Sequence, residues 1–187
     1  MMLRKVIFTL LVISCVVLIF LIIPKEGKKM ITSWAKLYGG SSWEYFNDVC
    51  QDSDYIYAVG YDESEGQGWV DCLMIKFNKS DLSIVAKKIY GGADVEYLYG
   101  VCQDDSYLYT VGVTEQGGLI LKLNKSDLSI VNAYESSGQE VFYGVCQDSN
   151  YVYVVGYTGA EGQGKADALI VKLDKSDLSI VAKKIYG

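Results

Sequence analysis

The stretch that decides the fold is VCQDSDYIYAVGY at residues 49–61, because the chain repeats it twice. It returns as VCQDDSYLYTVGV at residues 101–113 and as VCQDSNYVYVVGY at residues 145–157. The sequence KSDLSI follows each copy and begins at Lys79, Lys125 and Lys175. Because a unit of this length cannot bury its apolar faces alone, the periodicity predicts copies that stack side by side and share a core.

Each copy contains four short runs that are typical of β-strands. The runs are rich in Tyr, Val, Ile and Leu and end at Gly or Asx clusters. In the second copy the strands are predicted at residues 98–103, 107–113, 119–124 and 128–134. Runs such as YVYVVG (151–156) and ALIVKL (168–173) are apolar on both faces, so the sheets are expected to be covered on both sides.

The predicted architecture is all-β, with about three four-stranded blades of a β-propeller. The spacings of 52 and 44 residues between Cys50, Cys102 and Cys146 lie close to the range of propeller repeats. A β-trefoil, which also has three four-stranded units, is the alternative. Three blades are fewer than the usual four to eight. The ring is therefore predicted to be incomplete, either because the sequence is a fragment or because chains associate to close the ring.

The ends of the repeat region help to place the units. WAKLYGG at residues 34–40 matches VAKKIYGG at residues 85–92, so the chain is expected to enter on the last strand of a unit. The repeat domain is assigned to residues 30–187, with units at about 41–92, 93–138 and 139–187.

Residues 1–29 are predicted to form a signal anchor and a short tether. Residues 6–23 are an apolar run that would reach about 27 Å as a helix, nearly the thickness of a bilayer core. Cleavage of a secretory signal and lipidation at Cys15 remain alternatives. The anchor is favoured because eight further apolar residues follow Cys15 and no small-residue cleavage site follows the run. The repeat domain is expected to be extracellular, although basic residues flank the run on both sides.

Composition excludes several classes of function. Residues 30–187 carry 12 basic and 22 acidic side chains, a net charge of −10, which argues against a nucleic-acid partner. The chain contains no histidine. The usual general base of serine and cysteine hydrolases is therefore missing, and so is the commonest nitrogen ligand of metals.

The repeats resemble the SBBP-type β-propeller repeats of prokaryotic surface and secreted proteins over residues 34–187. The resemblance lies in the YGG motif, the VCQDxxYxYxVG motif and the LIxKLxKSDLSIV motif. The matching positions are Tyr57, Gly60, Asp71 and Lys76 in the first copy and Tyr153, Gly156, Thr158, Asp167 and Lys172 in the third. The second copy lacks the long Gly-rich loop and the Asp, where Gly118 stands. The resemblance implies surface display and binding, with no shared chemistry.

Repetition gives most polar and sulfur-containing residues a structural interpretation. Cys50, Cys102 and Cys146 occupy one place in each copy, so they are interpreted as small buried residues on the innermost strand, without disulfides. Cys72, which is Ala168 in the third copy, is expected at a packing position. The aspartates of each copy are predicted to make Asx turns: Asp52, Asp104 and Asp148 in the first hairpin, and Asp81, Asp127 and Asp177 in the third link.

The lysines and tyrosines are interpreted in the same way. Lys76, Lys122 and Lys172 recur once per copy, so they are expected to pack their stems between blades. Most of the tyrosines should fill blade interfaces, although some could stack on sugars or peptides: Tyr97, Tyr99, Tyr107, Tyr109, Tyr143, Tyr151 and Tyr153.

The loops DESEGQGWVD (62–71) and GAEGQGKAD (159–167) combine carboxylates with glycine carbonyls, the ligand types that calcium prefers. Their spacing matches no EF-hand or nonapeptide motif, so flexible blade-edge loops are favoured. No catalytic, cofactor-binding or metal-binding residue is therefore assigned, and no cofactor is expected.

The sequence favours a membrane-anchored, exported, non-catalytic module that binds a protein or glycan or has a structural role, with self-association as a way to close the ring. The alternative is a fragment of a larger propeller enzyme or lectin-like glycan-binding protein whose site lies in missing blades.

Overall fold

A computed structural model describes residues 36–187. The chain divides into two units, Met1–Lys36 and Leu37–Gly187, and the second contains every described strand. The predicted anchor at residues 1–29 lies outside the described residues. Within residues 36–187, no helix is long and apolar enough to cross a membrane.

The described residues form three separate four-stranded sheets, each called a blade below. The first blade contains β1 (Glu44–Gln51), β2 (Tyr55–Asp62), β3 (Asp71–Asn78) and β4 (Ile84–Tyr90). The second contains β5 (Tyr97–Gln103), β6 (Tyr107–Val113), β7 (Gly118–Asn124) and β8 (Ile130–Glu135). The third contains β9 (Glu140–Gln147), β10 (Tyr151–Thr158), β11 (Asp167–Asp174) and β12 (Ile180–Tyr186).

Each blade is an antiparallel meander in which strands pair in chain order. The predicted all-β class and the four strands per unit are thereby confirmed, and the separate sheets are consistent with repeated blades. The strand predicted to begin at Leu128 begins instead at Ile130, because Leu128 has a φ of 60° and belongs to the preceding link. A strand was also expected at the entry of the chain, but residues 36–43 form none.

A β-bulge explains the glycine in the VG pair of each motif. In the second blade the register shifts between Leu98 and Gly100. A Cβ atom built on Gly112, which pairs with Leu98, would lie 1.8 Å from the carbonyl oxygen of Tyr97. Only glycine permits this approach. The strand register also places Gly117, one residue before Gly118, at the position of Asp71, because Gly118 pairs with Val113 as Cys72 pairs with Tyr61.

Two apolar cores join the blades. The first junction packs one face of the first blade, including Tyr57, Val59 and Met74, against the second blade. The second junction packs the other face of the second blade, including Tyr109 and Val111, against the third. The second blade is therefore covered on both faces. The strands at residues 151–156 and 168–173, from which two-sided cover was predicted, lie in the third blade, where Val155 and Ile170 are exposed because no further blade among the described residues covers that face.

The prediction that Cys50, Cys102 and Cys146 are all buried is wrong. Cys50 and Cys102 lie on the innermost strands and are only partly buried, against the first and second cores respectively, and Cys146 is exposed. In the described residues, no further blade covers Cys146. Cys72 is fully buried, as expected of a packing position. All four of these thiols are free.

Candidate functional site

A continuous line of aromatic rings runs across all three blades and is called the aromatic ribbon. Successive ring centroids lie 4.9 to 6.1 Å apart, within the range of favourable aromatic contacts. The rings, in order, are Trp43, Tyr45, Tyr61, Tyr97, Tyr99, Tyr143 and Tyr157.

Strand pairing and blade packing both build the aromatic ribbon. Tyr45 and Tyr61 are cross-strand partners on β1 and β2, and their rings stack at 5.1 Å. Tyr97 and Tyr99 are two residues apart on β5, so their side chains lie on the same side of the strand. The contacts that cross the junctions are Tyr61 to Tyr97, at 4.9 Å, and Tyr99 to Tyr143, at 5.1 Å.

The aromatic ribbon departs from the repeat, and two of its rings are open to solvent. Asn47 stands in the first blade where Tyr99 and Tyr143 stand in the others. Trp43 is 63% exposed and Tyr143 is 52% exposed. Burial raises the pKa of the Tyr99 hydroxyl to about 12, with neighbouring tyrosines adding to the rise. At neutral pH this phenol is therefore a hydrogen-bond donor on the ribbon.

The tyrosine interpretation is half right. Tyr109 is buried at the second junction, and Tyr57 holds the same place at the first. Tyr97, Tyr99 and Tyr143 also contact tyrosines across the junctions, but they do so on the aromatic ribbon, where Tyr143 is open to solvent. The signal available in the sequence was the spacing of two in YLYG, which places both rings on one face.

A polar cavity of about 910 Å³ lies where the first hairpin of each blade turns. Asp52 and Asp104 make the predicted Asx turns, since each accepts hydrogen bonds from backbone N–H groups two and three residues later. Each aspartate also pairs with a lysine of the next blade, Asp52 with Lys125 at 2.9 Å and Asp104 with Lys175 at 2.8 Å.

These ion pairs control the acidity of the turn aspartates. Burial tends to raise the pKa of Asp104, but hydrogen bonds from Lys175 and the backbone outweigh it and lower the pKa to about 2. Asp148 makes the same turn and accepts a hydrogen bond from the Tyr153 hydroxyl. In the described part of the chain, however, no lysine lies within salt-bridge distance of Asp148.

The repeated strand lysines have structural contacts, as predicted. The ammonium of Lys76 donates a hydrogen bond to the carbonyl of Lys125 at 2.9 Å, and that of Lys122 donates to the carbonyl of Lys175 at 2.7 Å. Lys76 and Lys122 also lie over the rings of Tyr55 and Tyr107. These contacts tie each blade to the next.

The thiols are not activated as nucleophiles, and the acidic side chains of the first long loop make structural contacts. Burial raises the pKa of the Cys50 and Cys102 thiols to about 12. Asp62 and Asp71 organise the first long loop by accepting backbone N–H groups of Ser64, Glu65 and Gly68. Over residues 36–187, no group of three or more Asp, Glu, Cys or His side chains has the arrangement of a metal site.

No protein-family model matches the chain, and no curated protein matches it either.

Proposed function

We propose that the chain is a membrane-anchored, exported recognition module without catalytic activity, built from β-propeller blades of the SBBP type. The observation that carries the proposal is the aromatic ribbon, which crosses every blade and leaves Trp43 and Tyr143 open to solvent. Binding surfaces on repeat proteins are marked by departures from the repeat, and Asn47 at the ribbon is such a departure.

The ligand class that suits the aromatic ribbon is a neutral oligosaccharide. Aromatic faces stack on the apolar faces of sugar rings, and tyrosine hydroxyls supply hydrogen bonds at the ring edges. Glu63 lies beside the ribbon, close enough to Tyr61 to affect its pKa, and can accept hydrogen bonds from sugar hydroxyls. The acidic charge of residues 30–187 disfavours polyanionic ligands.

The test is calorimetric titration of the full chain with neutral oligosaccharides, in a detergent that has no sugar headgroup. We expect Tyr143→Ala and Tyr99→Ala to weaken binding about tenfold, since a stacked aromatic ring contributes about 0.5–1.5 kcal/mol beyond its buried area. The matched control is Tyr186→Ala, which removes an exposed tyrosine outside the ribbon. Equal losses in all three variants, or no binding to any oligosaccharide, would refute this function.

A second function, structural self-association, is favoured by the open face of the third blade. Val155 and Ile170 are 46% and 38% exposed, whereas their counterparts in the second blade, Val111 and Ile120, are fully buried. Leu82 on the first blade is likewise 38% exposed where Leu128 is buried. A second copy placed head to tail would cover these residues with the same kind of face that covers them inside the chain.

The polar contacts of the junctions support the same geometry. Repeating them between two chains would pair Asp148 with Lys79 of a second copy and would place the ammonium of Lys172 on the carbonyl of that Lys79. In the described residues, the ammonium of Lys79 donates only to the carbonyl of Asp52, and the ammonium of Lys172 has no hydrogen-bond partner.

Light scattering of the full chain in detergent tests the assembly. We expect a defined oligomer that Val155→Glu dissociates, while Val131→Glu, which changes an exposed valine outside both cores, leaves it intact. A monomer, or an oligomer that survives Val155→Glu, would contradict the head-to-tail contact.

The anchor and the orientation are tested on whole cells. In the Val155→Glu variant, whose third blade stays uncovered, a membrane-impermeant maleimide should label the exposed thiol of Cys146 from outside, and adding Cys146→Ser should remove that label. Labelling that requires lysed cells would place the domain on the other side of the membrane.

A further inference from the structure

Two buried carboxylates at the first junction have oxygen atoms without partners. Asp71, at the start of β3, is 1% exposed, and Glu96, just before β5, is 8% exposed. The Oδ1 atom of Asp71 and the Oε2 atom of Glu96 accept no hydrogen bond. A buried carboxylate oxygen without a partner is costly, so these two atoms need a proton or a cation.

Both orphan oxygens face the same small space beside Gly91. A Cβ atom built on Gly91 would lie 1.9 Å from Asp71 Oδ1 and 2.7 Å from Glu96 Oε2. The second oxygen of Asp71 accepts the N–H of Gly68, and Glu96 accepts the N–H of Gly92, so both side chains are held in place. Gly91 and Gly92 are exposed, which gives a small ion access to the two oxygens.

The charges nearby are acidic. The groups that act electrostatically on Glu96 include the carboxylates of Asp94 and Glu135, which add negative charge. The equivalent glutamate of the third blade, Glu140, is paired with the ammonium of Lys183 at 2.7 Å. The second blade has Ala133 in place of that lysine, because Ala133 pairs with Leu121 as Lys183 pairs with Val171. Glu96 at the first junction thus lacks the lysine that pairs with Glu140 at the second.

We propose that Asp71 and Glu96 bind a divalent cation of the calcium type at the first junction. The two carboxylates supply the charge. Water and backbone carbonyls supply the remaining oxygen ligands, and the carbonyls of Asp94 and Gly92 lie close to the loop at Gly68. The ion joins a loop of the first blade to the first strand of the second, and it does so independently of the aromatic ribbon.

Terbium luminescence tests the site on the full chain in detergent, because Tb³⁺ occupies calcium sites and is excited by nearby aromatic rings. Trp69 lies close to the site, since its backbone N–H donates to the carbonyl of Asp94. We expect a saturable signal that Ca²⁺ displaces. Asp71→Asn and Glu96→Gln should each weaken Tb³⁺ binding at least tenfold.

The matched control is Asp167→Asn, because Asp167 starts β11 as Asp71 starts β3 but, in the described residues, faces no glutamate of a following blade. This variant should keep the luminescence, and melting curves in EDTA show which variants fold. A signal that survives Glu96→Gln in a folded protein, or that Asp167→Asn reduces equally, overturns the site. No saturable binding to the wild-type chain also overturns it, and means that the two carboxylates share a proton.

Discussion

The two blade junctions are built from the same parts and differ in charge. Each contains a buried tyrosine whose hydroxyl donates a hydrogen bond to a turn aspartate, Tyr57 to Asp52 and Tyr109 to Asp104. In each, two lysines and one glutamine connect the blades through hydrogen bonds and an ion pair. These shared contacts account for the stacking, which the repeat alone predicted.

The two junctions differ at the end that lies opposite the turn aspartates. The second junction has Glu140 paired with Lys183 and has Gly117 at the position of Asp71. The first has two buried carboxylates, Asp71 and Glu96, without a lysine. Comparing equivalent positions in a stack of similar blades thus shows where a local ion pair is absent and buried carboxylate oxygens have no partner.

The largest effect should come from the shared tyrosines. Tyr57→Ala and Tyr109→Ala each remove a buried ring and its hydrogen bond, so we expect a loss of about 3–5 kcal/mol in the free energy of unfolding. Tyr153→Ala removes the equivalent ring from the open face of the third blade, where the hydroxyl is exposed, and should cost clearly less. Urea unfolding measures all three. Equal losses would mean that the third face is covered in solution.

The strand lysines should give the next largest effect. Lys122→Met leaves the carbonyl of Lys175 without its donor at a buried site, which costs about 1–3 kcal/mol. Lys76→Met should behave alike at the first junction. Lys172→Met is the control, because its ammonium has no carbonyl partner among the described residues and contacts only tyrosine rings. A similar cost for Lys172→Met would show that a further blade or a second copy binds there.

Much of the fold follows from the sequence because the repeat carries it. Contacts that recur at fixed spacing form the four strands of each unit, the Asx turns and the packed lysine stems. Equivalent residues in the three copies therefore have the same predicted role. The burial of each cysteine was harder to predict. It depends on whether another blade packs against the innermost strand, which residues within one copy do not reveal. Among residues 36–187 no blade packs against Cys146, and it is exposed there.

The candidate sites were harder still, because both arise where copies differ. The aromatic ribbon needs Tyr61 to meet Tyr97 across a junction, and that contact depends on how blades are placed side by side. The carboxylate pair joins Asp71 of one blade to Glu96 of the next, so the loop sequence of residues 62–71 shows only half of it. Matching each copy against its neighbour, position by position, would have revealed the missing lysine at Ala133.

The pH dependence of stability should separate the junctions. Burial, with help from Asp71, raises the pKa of Glu96. In EDTA, the contribution of Glu96 to the free energy of unfolding is therefore present below the ordinary glutamate pKa of about 4.3. This contribution is lost as pH rises through the pKa of Glu96 in the folded protein. Burial also acts on Glu140, but hydrogen bonds from Lys183 and Ser136 outweigh it and lower the pKa. The contribution of Glu140 to the free energy of unfolding is therefore present above about pH 4.3. It is lost as pH falls through the pKa of Glu140 in the folded protein.

Urea unfolding between about pH 3 and 8 in EDTA measures this contrast. Glu96→Gln should remove the loss of stability that the wild type shows as pH rises, and Glu140→Gln should remove the loss that the wild type shows as pH falls. Two variants that change the profile in the same direction would contradict the proposed difference between the junctions.

The smallest effect should come from giving the first junction the lysine that the second possesses. Ala133→Lys places an ammonium on β8 where Lys183 stands on β12, within reach of Glu96 by analogy with Glu140. We expect a gain of up to about 1 kcal/mol in EDTA, as for a partly exposed ion pair, together with weaker Tb³⁺ binding, because the ammonium competes for the same carboxylate. Val131→Lys adds the same charge to an exposed position of the same strand. If both variants change stability and ion binding equally, net charge explains the result and the two junctions do not differ as proposed.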